Sequence, residues 1–318
     1  MAQLVDGVRT MVTSEKQGLL VRGAAIVRRN LRYLVWFYLL NLMFAWCGAR
    51  AFSVRAHQTL DHSLYADKLL HGMDVSVLRE LFALPEFGAT IGSRVPATLW
   101  MVLFAAVTVL LMPGVLLGYS SDHKISREEF FRACGHNVWR FVRLAVLFAT
   151  VTGIVAAVLF GILSAAVNAA EQASHERLPV LLLMFGFAII FVIVTLIRLW
   201  FDLAQVDVML RDQGAVRKSV AAGLRALRQN VAWLLGSYVV IALAGTAVLI
   251  TGLFLWHVIV PPSNVLSAFV ISQATLFLLL TTRFWQRATA VGFYVRDLTE
   301  PAVEVQSAAA GMAVPAAQ

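Results

Sequence analysis

Long runs without charge alternate along this chain with short basic segments. From Gln229 to Thr282, fifty-four consecutive residues contain no Asp, Glu, Lys or Arg, and Pro261-Pro262-Ser263-Asn264 sits at the middle. A bilayer-crossing helix needs about 20 apolar residues, so this run reads as two crossings joined by a tight turn. Four further charge-free runs precede it: Tyr33–Ala49, Val95–Ser121, Leu144–Ala170 and Leu178–Ile197. The pattern predicts an all-α polytopic protein of six spans in three hairpins, at about 33–51, 97–119, 144–170, 178–200, 231–258 and 263–285. A basic amphipathic segment is expected over 1–32, an outer loop over 50–96 and a disordered tail over 298–318. Residues 1–32 lack the pattern of a cleavable signal, so the first span is expected to act as an uncleaved anchor.

Composition agrees: 60% of residues are hydrophobic and 14% charged, against about 25% charged in a typical globular domain. The net charge of +8 follows the membrane and is no sign of nucleic acid. Segments 1–32, 120–143, 211–228 and 283–318 hold 19 of the 26 Lys and Arg residues. Since basic loops stay on the cytoplasmic side, both termini are expected inside. The two cysteines, Cys47 and Cys134, fall on opposite sides in that topology and are expected to stay unpaired.

The chain also repeats itself. Gly23, Arg28 and Asn30 recur as Gly223, Arg228 and Asn230 at an offset of 200, and Arg132-Ala133 with Asn137-Val138 recurs as Arg225-Ala226 with Asn230-Val231 at 93. Arg198, Trp200, Arg211 and Asp212 recur as Arg283, Trp285, Arg296 and Asp297 at 85. This reads as three hairpins of one orientation, each preceded by a basic amphipathic segment. Mitochondrial carriers share that plan, but their Pro-x-Asp/Glu-x-x-Lys/Arg signature is absent. After Gly214, the apolar stripe Val216, Val220, Leu224, Leu227 and Val231 predicts a helix lying at the headgroups.

Three groups of residues are candidates for a role. Arg198 and Asp202 form an i,i+4 pair, and Arg283 and Arg287 occupy the repeat-equivalent places. Opposite charges at equivalent positions predict a network between hairpins, and ionisable residues near a membrane are functional candidates. Each leading Arg follows about 20 apolar residues, which sets it at the membrane boundary and also allows simple snorkelling. In the outer loop, His57, Asp61, Asp67 and His71 are candidate metal ligands. On one helix the two pairs would point about 80° apart, with His57 and His71 about 21 Å distant, so one helix cannot close a four-ligand site. A solvated outer segment is the simpler reading. Finally, Gly153, Ala157, Gly161, Ala165 and Ala169 recur every four residues, a stripe read as helix packing.

No Gly-x4-Gly-Lys-Ser/Thr loop, His-Glu-x-x-His helix or Gly-x-Ser-x-Gly elbow occurs, and no cofactor is expected. The stretch Arg198-Leu-Trp-Phe-Asp202-Leu-Ala, the segment from Arg211 to Asn230, and Phe130-Phe-Arg-Ala-Cys-Gly with Asn137-Val-Trp-Arg-Phe-Val-Arg143 carry a resemblance. They resemble uncharacterised bacterial multi-pass membrane proteins and the membrane domain fused to some glycerophosphodiester phosphodiesterases, over the second two-thirds of the chain. The resemblance implies a bacterial inner-membrane location. It brings no catalytic residue, because the phosphodiesterase catalytic domain has no counterpart in these residues. The expected function is a non-enzymatic helper or scaffold that handles lipid, with membrane lipids and a protein as partners. The alternatives are a small-molecule or lipid transporter, and a metal-dependent enzyme using the outer His/Asp loop.

Overall fold

A computed structural model describes residues 18–60, 95–121, 123–172, 177–211, 215–261 and 264–312, with side chains at 51–60, 95–98 and 297–312 left aside. The described elements are all helices: α1 Leu19–Arg29, α2 Leu31–Leu60, α3 Val95–Ser120, α4 Arg127–Gln172, α5 Leu178–Leu210, α6 Val216–Gln229, α7 Val231–Ile259 and α8 Val265–Met312. All but α1 and α6 are long and apolar enough to cross a membrane. A backbone in hydrocarbon must satisfy its own hydrogen bonds, which is why charge-free runs become helices here. The chain is a multi-pass membrane protein. Its exposed residues include Trp46, Ile162, Phe185, Trp233 and Val265, the reverse of a water-soluble surface.

Local chemistry sets the helix ends. At Ser126 the backbone N–H donates to Glu129 Oε2 (2.7 Å), while the Glu129 N–H donates to Ser126 Oγ (3.1 Å). This reciprocal capping box starts α4. Helices α1 and α6 stop alike, at Asn30 (φ −116°, ψ 31°) and Asn230 (φ −129°, ψ 30°). Each Asn N–H is shared between the carbonyls three and four residues back. Asn137, the third member of the set, does not break its helix. The basic segment that precedes the expected third span is continuous with it, giving α4 46 residues.

Two compact units form. The first comprises Met1–Asn30, Leu110–Ala242 and Phe284–Gln318, and the second Leu31–Val109 and Leu243–Arg283. Within the first, amphipathic helices dock on the exits of spans. Trp200 Nε1–H on α5 donates to the Val220 carbonyl of α6 (2.8 Å), and Trp285 Nε1–H on α8 donates to the Leu20 carbonyl of α1 (2.9 Å). Gly223 lies against Trp200 and Ala204, and Gly23 lies against Trp285 and Thr289. Val220 and Leu20 are 200 apart, as are Gly223 and Gly23, while Ala204 and Thr289 are 85 apart. One docking joint is therefore built twice, by the residues that match in sequence. At the start of α4 the sizes are exchanged: the glycine is on the span, and Gly114 packs on the ring of Phe130. Cys134 Sγ–H donates to the Leu111 carbonyl beside it (3.7 Å).

Within the second unit, Tyr38 O–H donates to Gln273 Oε1 (2.9 Å) and its ring meets Phe277 edge-on. Phe44 packs on Trp100 and Phe104. Gly252 abuts Thr275, and Gly245 abuts Thr282.

Three expectations are corrected. Gly153, Ala157, Gly161, Ala165 and Ala169 are all exposed, and a Cβ on Gly153 or Gly161 would meet no atom within 4 Å. The α4–α5 contact uses another face of α4, through Leu163 on Gly186, Phe160 on Phe187 and Phe148 on Phe201. The stripe is thus no packing seam within the described chain. On α6 the buried residues are Ser219, Ala222, Gly223 and Leu227: of the apolar stripe Leu227 is buried and Leu224 is exposed, and close approach adds small residues to the buried face. Lastly, α8 runs to Met312 through a tail expected to be disordered; its Ala-rich composition carries the helix onward. Both cysteines are free, as expected.

These contacts predict opposite responses to one substitution. A Cβ at Gly223 would stand 3.0 Å from the Ala204 amide nitrogen and 3.1 Å from the Trp200 carbonyl oxygen. Gly223→Ala should destabilise the protein by about 1–3 kcal/mol through backbone crowding. Gly153→Ala should stabilise by about 0.5–1 kcal/mol through helix propensity. Thermal unfolding of the two variants in detergent checks both signs.

Candidate functional site

The strongest polar assembly lies in the first unit, around Asp202 on α5. Its side chain is 7% exposed, with Arg198 at 18% and Arg287 at 21%. Tyr238 O–H, from α7, donates to Asp202 Oδ2 at 3.0 Å. Arg198 Nε stands 3.8 Å from Oδ2 and Arg287 Nε, from α8, stands 4.0 Å from Oδ1. Gln286 Nε2–H donates to the Tyr238 carbonyl at 3.3 Å, which adds a second tie between α8 and α7.

The i,i+4 spacing brings Arg198 over Asp202 on one face of α5. Arg287 and Asp202 are repeat equivalents, and they pair with each other. The expected network is therefore formed by three of its four members. Arg283, one turn before Arg287, is exposed and makes no ion pair among the described residues. Arg283 precedes the closely packed stretch of α8, which begins at Phe284 and is buried throughout Ala288–Tyr294.

Tyr238 was not among the sequence candidates. A single phenol in an apolar run carries no spacing signal, and only its burial at 0% exposure beside an acid reveals it. A second acid, Asp207, is also fully buried; Arg211 Nε lies 3.4 Å from its Oδ1.

Chemically, Asp202 is an acceptor already engaged by one phenol and two guanidinium groups. At about 4 Å and an effective dielectric near 20, each ion pair is worth about 4 kcal/mol before desolvation, which removes much of that gain. The arrangement ties α5, α7 and α8 together. Two buried groups nevertheless lack a hydrogen-bond partner: Arg287 Nε and Gln286 Oε1.

His57 falls within α2, where its side chain is left aside, and Asp61, Asp67 and His71 lie outside the described residues. Among the described residues no three His, Cys, Asp or Glu side chains gather as metal ligands.

With this geometry in hand, comparison with known proteins returns no matching family model, no matching curated protein and no matching solved structure.

Removing one member of the cluster weakens the pairing of those that remain, with Asp202 nearly fully buried and the arginines partly exposed. Asp202→Asn and Arg287→Gln should each destabilise by about 1–3 kcal/mol, below the 3–5 of a fully buried pair because the arginines are partly exposed. The double variant should cost less than the sum of the two. A double-mutant cycle read by thermal unfolding measures that coupling, and strict additivity would contradict the pairing.

Proposed function

We propose that this chain is a non-enzymatic scaffold or helper of the bacterial inner membrane, with both termini inside, that works on or with membrane lipid. One observation carries the reading. The buried ionisable groups near the span ends are engaged with one another, with Asp202 holding Tyr238, Arg198 and Arg287. They serve helix closure, while the cations of α6, namely Arg217, Lys218, Arg225 and Arg228, are exposed. Such a helix suits a headgroup layer. The asymmetry of Lys and Arg supports the orientation, and the resemblance to bacterial membrane domains supports the location. A protein partner belongs to the same proposal.

A transporter is the second reading, and it draws on the excess charge of the cluster. Two guanidinium groups face one carboxylate, and Arg287 Nε and Gln286 Oε1 lack hydrogen bonds. A small anion could complete that set in another conformation.

A thermal-shift screen of soluble anionic metabolites separates the two. The scaffold reading expects no metabolite to stabilise the protein through the cluster. A compound whose stabilisation disappears in Arg287→Gln would overturn it in favour of transport. Orientation is checked separately: reporter fusions at residues 1 and 318 should both report the cytoplasm.

A further inference from the structure

A cleft of about 440 Å³ lies where α5 gives way to α6. Arg211, Lys218, Ala221, Ala222, Leu224 and Arg225 line it. Three of the six are cations and none is an acid. Lys218 and Arg225 are exposed, and neither has an acidic partner among the described residues; the neighbouring Asp212 lies outside them. Arg211 is held differently. Its Nε lies 3.4 Å from Oδ1 of the fully buried Asp207, and its own backbone N–H bonds the Asp207 carbonyl at 3.0 Å. The buried acid therefore positions one guanidinium while cancelling one charge of three, and the described lining of the cleft stays net positive.

The internal repeat shows what the docking joint does and does not require. Gly223, Asn230 and Trp200 have the counterparts Gly23, Asn30 and Trp285, and these build the same contacts twice. Arg228 likewise matches Arg28. At the positions equivalent to Lys218 and Arg225, however, stand Gly18, just before α1, and Ala25 within it. Since the α1 joint forms without those cations, packing does not explain them at 218 and 225. They belong to the cleft.

The wall chemistry selects the ligand. Leu224 is 38% exposed and adjoins Arg225, so the cleft offers an apolar surface beside its cations. The cleft also adjoins the end of α5, one of the helices long and apolar enough to cross a membrane, on the side where Lys and Arg collect. A phosphate diester with acyl chains alongside satisfies both surfaces; a hydrophilic anion would leave the exposed part of Leu224 in water.

We propose that this cleft binds the phosphate of an anionic phospholipid headgroup through Arg211, Lys218 and Arg225, in the leaflet at the α6 end of the spans. The proposal rests on the lipid-handling reading above and gives it a site and a lipid class.

The test uses full-length protein in phosphatidylcholine nanodiscs with added phosphatidylglycerol, and native mass spectrometry to count retained lipid. Two variants carry equal charge changes on one helix: Lys218→Gln/Arg225→Gln in the cleft and Arg217→Gln/Arg228→Gln outside it. All four residues are exposed, and unfolding midpoints confirm that both variants fold. Phosphatidylglycerol retention should fall about tenfold in the cleft variant and only about threefold in the control, the share due to the diffuse charge of α6. Equal losses in both would reduce the effect to diffuse surface charge and overturn the site. Absence of phosphatidylglycerol preference in the unaltered protein would also overturn it. Displacement of the lipid by millimolar inorganic phosphate, with equivalent chloride inactive, would assign the site to a soluble phosphate and overturn the lipid source. The scaffold reading fails on a different result, metabolite stabilisation through Arg287, which lipid counting does not register.

Discussion

Close approach between a span exit and the amphipathic helix docked on it is the constraint that organises the first unit. An indole N–H can reach a helix carbonyl only if the two backbones come near, and a glycine at the crossing permits that. Trp200 with Gly223 and Trp285 with Gly23 meet this requirement in the same way. Once α6 is pinned to α5, the chain has a fixed point from which Asn230 turns it back into the membrane as α7. Tyr238 then faces Asp202, because the turn and the docking joint together set the depth and rotation of α7. The buried cluster is downstream of the joint.

The charges answer a second constraint. An acid at the end of a span must find partners or lose its charge. Asp202 finds a phenol on α7 and guanidinium groups on α5 and α8, which ties three helices at a point where hydrophobic burial against lipid offers little discrimination between neighbours. Pairing between Asp202 and Arg287 also uses the duplication economically: one repeat supplies the acid at the position where the other supplies the base. A symmetric pair of acids, or of arginines, would repel.

Much of this was legible in the sequence, for physical reasons that differ by element. Lipid tolerates few charges, so the six crossings announce themselves as charge-free runs. The docking joints announce themselves as offsets of 200 and 85, since the same contacts demand the same residues. What eluded sequence reading was rotation. The Val216–Val231 stripe suggested a helix lying at the headgroups and supplies Leu227 to the buried face of α6, whereas Ser219, Ala222 and Gly223, selected by contact distance, lie outside it. Small residues along α4 suggested a seam, yet they are exposed, because in hydrocarbon neither small nor large apolar residues are driven inward. Arg283 shared spacing with Arg287 but not its burial. Tyr238 stood in an apolar run with no polar neighbour in sequence except Ser237.

The joint between α1 and α8 has a temporal meaning. The ribosome makes α1 among the earliest residues described and Trp285 and Thr289 hundreds of residues later. The binding face around Gly23 must wait for its mate until the sixth crossing is inserted. Assembly of the first unit therefore cannot proceed strictly from front to back; its opening helix is its closing piece, clasping the last crossing as a buckle meets the far end of a belt.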